Sequence, residues 1–568
     1  MMCAAMALYR VIFLVLALHY SAIECTVVSI KGLGSVQGTT RNLSGSLVDT
    51  FWGVPFGKPP LGNLRFAPPE KVEPWTKVIN GTKVTCLQYD VTTRKVKGGE
   101  DCLYLNIFRK RTATARKMDV MVFIHGGSYT GGAGHQYNGE ALAALHDVVV
   151  VTINYRLGIL GFYSIPDTEL TGNYGLQDQI LALKWVKEHI SDFGGDPSKV
   201  TIFGESAGAG CVSLLLLSPM TKGLFTRAIA ESGSALNIWA VYEKQNNTMA
   251  YNFAQRSGCN RTSTAKCLRS KSALYLLFKQ ITSKSYPLIS PTVDGKVITV
   301  FPFQESIMGK LPVPDVELMI GFNKDEGTMF IPSIEWTKLS YHQTVKETLQ
   351  LRYKEDTAMA TEVASFEYNR FTKPENLSLQ LSCKEFIGDI YFREGIIRLA
   401  GDWAKAGKRV FLYYFTFLPE NLKNPSLGVS HAIELGFVFG RPVLGASDWF
   451  VSNYTKTDKN KSLKLMKMWT DFAKNGVADS KWPLYNLTDK KYLEININDT
   501  VQQDFSPKRM TFWHNTLPNV LALAKANTKQ PTATPQICTT QKTASSAPGK
   551  VGFTYTLVTM LLLAFFGL

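Results

Sequence analysis

The chain is 568 residues long, 45% hydrophobic and only 19% charged, which excludes a disordered chain and allows a large buried core. Its formal net charge of +16 raises nucleic-acid binding as a class. The Lys and Arg residues are scattered, however, and the densest run, Arg109-Lys110-Arg111 to Arg116-Lys117, reads as a solvated loop between strands. That class is therefore set aside, leaving at most an attraction to acidic glycans or lipid headgroups.

Residues 1–24 read as a secretory signal peptide: Arg10 precedes Val11-Ile12-Phe13-Leu14-Val15-Leu16-Ala17-Leu18, an apolar run too short to span a bilayer. Residues 25–526 show no Pro/Ser-rich linker and no internal repeat, and read as one large catalytic domain. Within it, the apolar strand Val120–Ile124 runs into His125-Gly126-Gly127-Ser128, whose glycines leave backbone N–H groups free to approach a substrate oxygen. Val148–Ile153 reads as a strand and Gln177–Val186 as a helix. Val200-Thr201-Ile202-Phe203 then leads into Gly204-Glu205-Ser206-Ala207-Gly208, and an Ala/Gly/Leu-rich helical pattern follows. A G-x-S-x-G sequence alone also fits a turn whose Ser merely caps a helix. With a strand before it and a helix after it, the context is that of a nucleophile elbow, which lifts Ser206 above a helix N-terminus. Gly126, Gly127 and Ala207 would then offer N–H donors to a developing oxyanion.

A serine needs a base, and in this type of site the order is Ser, acid, His. Of the eight histidines only His342, His431 and His514 follow Ser206. His342 falls in a Lys/Glu-rich helical segment, His514 follows a basic run, and His431 sits on a loop opening an apolar stretch. For the acid, Val316–Ile320 reads as a buried strand ending in a turn that holds both Asp325 and Glu326, each a candidate. Arg409–Phe415 reads as a further strand, and the alternation of strands and helices predicts an α/β fold with a large, mostly parallel central sheet covered by helices on both faces.

Residues 527–546 read as a disordered Thr/Ser/Pro stalk, and 547–568 as an apolar tail. Small residues around Ser545, a short spacer and a terminal apolar run without a basic flank predict a GPI-attachment signal with Ser545 as the attachment residue; a retained membrane tail is the alternative. Sequons at Asn42, Asn80, Asn246, Asn260, Asn376, Asn453, Asn460, Asn486 and Asn498, together with the leader, predict a glycoprotein on the extracellular face of the cell membrane, or secreted. Nine cysteines fit an oxidising compartment. No metal-ligand spacing occurs among Cys or His, and the implied chemistry needs no cofactor.

The motifs stand in one order, from Phe51–Gly57 and Pro59–Phe66 through Glu100–Asn106 and Asn173–Gln179 to about Pro518. In this the chain resembles the type-B carboxylesterase/cholinesterase family of α/β-hydrolases, and a carboxylesterase more than a cholinesterase. The resemblance implies hydrolysis of small-molecule carboxylic esters by a Ser206–Glu326–His431 triad through an acyl-enzyme. It also implies supporting polar groups at Glu205, Ser232 and Glu434, disulfides Cys86–Cys102 and Cys259–Cys267, and a pocket formed by Trp239, Tyr286, Leu288, Met329 and Phe330. Cys25, Cys211, Cys383 and Cys538 are left without an assigned pairing. On the Cys86–Cys102 loop the cholinesterases carry a Trp. Here Tyr89 is the only ring, and Arg94, Lys95 and Lys97 disfavour a quaternary ammonium. Met329 likewise stands where cholinesterases usually place a ring. The alternatives are a choline-ester hydrolase and a cholinesterase-like adhesion protein; the latter usually lack the Ser or the His. Nothing in the sequence indicates the oligomeric state.

Overall fold

The computed structural model describes residues 24–528 apart from 113–115, 167, 244–246, 283–288 and 370–374. Nearly all of the expected leader and stalk, and the whole tail with Ser545, lie outside the described residues, as do Asn246, Tyr286, Leu288 and the side chain of Asn376; Glu24 already belongs to a strand, and 527–528 end the helix Leu517–Thr528.

Strands in chain order are β1 (Glu24–Ile30), β2 (Gly34–Leu43), β3 (Ser46–Pro55), β4 (Ile79–Asn80), β5 (Gln88–Asp90), β6 (Lys95–Lys97), β7 (Tyr104–Lys110) and β8 (Met118–Ile124). They continue as β9 (Val148–Ile153), β10 (Gly195–Glu205), β11 (Arg227–Glu231), β12 (Glu317–Asn323), β13 (Val410–Phe415), β14 (Lys491–Ile495) and β15 (Thr500–Gln503). One sheet runs β1-β2-β3-β7-β9-β8-β10-β11-β12-β13-β14-β15, with β4 beside β2. From β9 to β14 every neighbouring pair is parallel; the pairs outside this block are antiparallel except β2–β4, which is parallel. The strands Val120–Ile124 and Val148–Ile153 therefore form where the sequence predicts, at the centre of the sheet.

The apolar runs are continuous because both faces are covered. Alternate residues of β8 enter two cores: Val120, Val122 and Ile124 pack with the helices Tyr174–His189 and Ala207–Leu217, whereas Met121 and Phe123 pack with Glu140–His146 and Lys456–Asn475. The long helix Lys456–Asn475 is closed at its start by Thr455 and Asp458, which exchange hydrogen bonds with each other's backbone N–H (2.7 and 3.2 Å), and it ends at Gly476 in the left-handed region.

Arg116 and Lys117 are exposed between β7 and β8 as expected, but the start of the basic run departs from a solvated loop. Arg109 lies in β7, and Arg109 and Arg111 pair with the fully buried Asp49 of β3, at 3.2 and 2.9 Å. A buried carboxylate demands cations, and these two partly exposed arginines meet that demand. Cys86–Cys102 and Cys259–Cys267 are bonded, while Cys25, Cys211 and Cys383 are free thiols. Asn42, Asn80, Asn260, Asn453, Asn460, Asn486 and Asn498 are all exposed. Among the described residues no helix is long and apolar enough to cross a membrane.

Candidate active site

The carboxyl ends of the parallel strands finish level, since Gly204 pairs with Ile124, Glu205 with Glu231, and Glu231 with Gly321. The loops leaving β8, β10, β11 and β12 consequently meet at one end of the sheet, where α/β folds place their chemistry.

Ser206 stands between Glu205 and the helix Ala207–Leu217 with φ 56° and ψ −124°, a conformation that L-residues adopt only under constraint. Its N–H donates to Glu231 O at 2.9 Å, which fixes the turn. Ala207, as the first helical residue, has no intrahelical acceptor for its N–H. The His125–Ser128 loop lies directly against this turn: a Cβ on Gly126 would sit 2.7 Å from Glu205 O and 3.0 Å from Ser206 Cβ. After Gly127, both Ser128 and Tyr129 take positive φ (52° and 60°), and Tyr129 Oη tethers the loop by donating to Ala240 O at 3.0 Å. Burial pushes His125 down to about 4, so its ring is neutral at physiological pH and Nδ1–H can donate to Gly126 O, 2.8 Å away. The ring stacks on Tyr155.

Of the three candidate histidines, only His431 meets an acid at this end of the sheet. His431 Nδ1 lies 2.6 Å from Glu326 Oε2, and both side chains are fully buried. Glu326 Oε1 accepts from Ser232 Oγ at 2.6 Å and from Asn323 N at 2.7 Å. The imidazole is flanked by Phe330 and Phe392, with ring centroids 5.2 and 4.6 Å away, and its Nε2 lies 3.0 Å from Glu205 Oε1. His342 is instead exposed against Glu362, and His514 faces Glu394 O. Asp325 turns away from His431 and pairs with Lys384 at 2.5 Å.

Glu434 accepts a hydrogen bond from Asn323 Nδ2 and is fully buried; burial, then the nearby Glu205 and Glu326, push its carboxyl up to about 8. Glu205 is likewise raised, by burial and then Glu326. Sequence reasoning missed a third such group. Glu231 ends β11 opposite Glu205, is fully buried, and is raised by burial and then chiefly by Glu434. A Glu closing an apolar strand immediately before Ser232 was the available signal.

A cavity partly open to solvent has Ser206 and Ala207 in its wall. The rest of the wall is largely aromatic: Tyr129, Trp239, Tyr242, Phe330, Tyr391 and Phe392, with Leu351 and Ile289. Trp239 and Phe330 stand in this wall, whereas Met329 packs, partly buried, against the main core and is not among the wall residues. Tyr391 and Phe392 carry no motif; they sit on a single π-helical turn, Asp389–Arg393, and Tyr391 O anchors Trp239 Nε1 at 2.7 Å. Tyr89 belongs to the β5–β6 hairpin and packs into a separate core, while Lys97 beside it pairs with Asp90. Among the described residues no group of His, Cys, Asp and Glu is arranged to hold a metal ion.

The model of the carboxylesterase family matches residues 24–513. The chain is 36% identical over 523 residues to a medium-chain fatty acyl-CoA hydrolase precursor of Anas platyrhynchos, covering 85% of this chain and 91% of that protein. It is 36% identical over 522 residues to a cocaine esterase of Oryctolagus cuniculus (85% and 95% covered), and 37% identical over 538 residues to carboxylesterase 3 of Pongo abelii (86% and 90%).

Proposed function

The chain belongs to the carboxylesterase family of carboxylic ester hydrolases, and we propose that it cleaves uncharged esters through an acyl-enzyme on Ser206. His431 takes the Ser206 proton as Oγ attacks the ester carbonyl, and Glu326 stabilises the imidazolium through Nδ1. The N–H groups of Gly126, Gly127 and Ala207 hold the oxyanion. His431 then passes the proton to the departing alcohol, and a water activated by the same ring releases the acid. Ser232, Glu205 and Glu434 support the triad without reacting. The observation that carries this reading is the 2.6 Å contact between fully buried His431 and Glu326, at the strand ends that present Ser206 to the cavity.

The apolar wall supports an apolar acyl group, as does the name of the medium-chain fatty acyl-CoA hydrolase relative. A choline ester has less support: the Cys86–Cys102 loop carries no Trp but does carry Arg94, Lys95 and Lys97, and Tyr89 packs elsewhere. An adhesion role in place of catalysis is disfavoured by the complete set of catalytic groups. We further propose that residues 25–526 form a glycosylated catalytic domain displayed outside the cell on a GPI anchor at Ser545. Turnover of p-nitrophenyl butyrate and butyrylthiocholine by the full chain, side by side with Ser206→Ala, tests the activity. Rapid turnover of the first ester, little of the second, and none by Ser206→Ala are expected; a fully active Ser206→Ala protein refutes the site. Release from cells by phosphatidylinositol-specific phospholipase C tests the anchor, and an insensitive surface pool refutes it.

A further inference from the structure

The turn that carries Glu326 is fastened to the loop that carries His431 through the residue next door. Asp325 N–H donates to Val429 O at 2.8 Å, and Val429 N–H donates back to Asp325 Oδ2 at 2.8 Å. Asp325 also pairs with Ser430 in an isolated parallel bridge. The other carboxylate oxygen, Oδ1, lies 2.5 Å from Lys384 Nζ on the helix Glu375–Gly388. Both surrounding walls are tight. A Cβ on Gly428, where φ is +61°, would overlap Asp325 Oδ2, and a Cβ on Gly327 would overlap Lys384 O. Only 13% of the Asp325 side chain and 18% of that of Lys384 are exposed, so solvent screens the pair weakly.

We propose that Asp325 is a positioning residue for the hydrolysis: its carboxylate, held by Lys384, sets the separation of His431 from Glu326. The inference rests on the triad reading above. Val429 is two residues from His431 and Asp325 one from Glu326, so a gap opened between Asp325 and Val429 is passed on to the 2.6 Å Nδ1–Oε2 contact. Asp325 is absent from the cavity wall, so its loss acts on the chemical step and not on ester binding.

The test measures kcat and KM of the full chain on p-nitrophenyl butyrate per folded molecule, with the folded fraction read from thermal unfolding. Asp325→Ala is expected to lose ~10²-fold in kcat with KM within ~2-fold of wild type. Asp325→Asn, which keeps an acceptor for Val429 N–H, should regain kcat to within ~10-fold of wild type. Wild-type kcat in Asp325→Ala, or a loss confined to KM, overturns the proposal. Should Asp325→Ala fail to fold, Lys384→Met decides: a ~5-fold lower kcat at unchanged KM supports the clasp, and wild-type kcat overturns it. Ser206→Ala run alongside separates the two readings. If it is inactive while the Asp325 variants match wild type, only this inference falls; if it is active, the triad itself falls.

Discussion

Replacing Gly126 by Ala perturbs the oxyanion loop by a known amount. The added Cβ would stand 2.7 Å from Glu205 O, 2.8 Å from Glu205 Oε2 and 3.0 Å from Ser206 Cβ. Comfortable carbon contacts begin near ~3.5 Å, so about 0.5–1 Å must be made up somewhere. Glu205 cannot yield readily, because β10 is locked between β8 and β11 and the neighbouring Ser206 N–H is bonded to Glu231 O. The Gly126–Tyr129 loop, already strained at Ser128 and Tyr129, is the part that moves. A displacement of that size takes an N–H donor out of reach of the oxyanion, at a cost of about 3 kcal/mol or ~10²-fold in kcat. KM should change little, since the donor acts on charge that develops only in the transition state. Steady-state kinetics on p-nitrophenyl butyrate, normalised to folded protein, give the answer. A kcat within ~3-fold of wild type would refute the placement of the oxyanion hole on this loop.

Other expectations concern the acid, the buried carboxyls and the cavity wall. Glu326→Gln keeps the shape but removes the charge beside the imidazolium, and should lower kcat ~10³-fold or more; a loss under ~10-fold would remove Glu326 from the triad. Glu434, raised from 4.5 to about 8 in the folded chain, keeps a proton that the unfolded chain releases, so its contribution to stability falls as pH rises through that window. Glu434→Gln cannot titrate, so its Tm relative to wild type should climb between pH 5 and 8 in thermal scans; parallel Tm curves would contradict this. Phe330→Ala should change KM or acyl-chain preference in a p-nitrophenyl ester series, whereas Met329→Ala should leave both as in wild type. The reverse pattern would restore Met329 to the wall.

What the sequence makes legible is what short stretches determine by themselves. The elbow at Ser206 is local sterics: an apolar strand, a turn that only small neighbours allow, and a helix. Periodicity likewise places β8, β9 and β10, because a strand buried on both faces must be apolar at nearly every position. The choice between Asp325 and Glu326 is different in kind. A tight helical turn rotates successive side chains by about 120°, so one acid faces His431 and the other faces Val429 and Lys384. Which of them does so depends on the β12–β13 register and on a helix that starts at Glu375, and no local pattern contains that. Tyr391 and Phe392 reach the cavity only because a π-helical turn reorients them, and Arg109 and Arg111 are drawn inward by Asp49, far back in the chain. The acid and the arginines are thus settled by long-range pairings, and the two rings by an irregular helical turn that periodicity does not reveal.

The buried carboxyls around His431 raise the question of which one carries charge. Glu205, Glu231, Glu326 and Glu434 are all nearly or fully inaccessible and act on one another as like charges. In so poorly solvated a space, burial and then like charge raise the carboxyls of Glu205, Glu231 and Glu434. Glu326 receives Ser232 Oγ at 2.6 Å, Asn323 N at 2.7 Å and His431 Nδ1 at 2.6 Å, whereas burial and like charge act against ionising the other three. These three contacts hold Glu326 where an imidazolium would form as the proton leaves Ser206. Were Glu231 or Glu434 also ionised, that extra negative charge would oppose the oxyanion building up at the elbow. The raised carboxyls thus set polar groups behind the proposed triad that can hold its geometry with little competing field, and that condition weakens as pH rises toward the value of about 8 to which Glu434 is pushed.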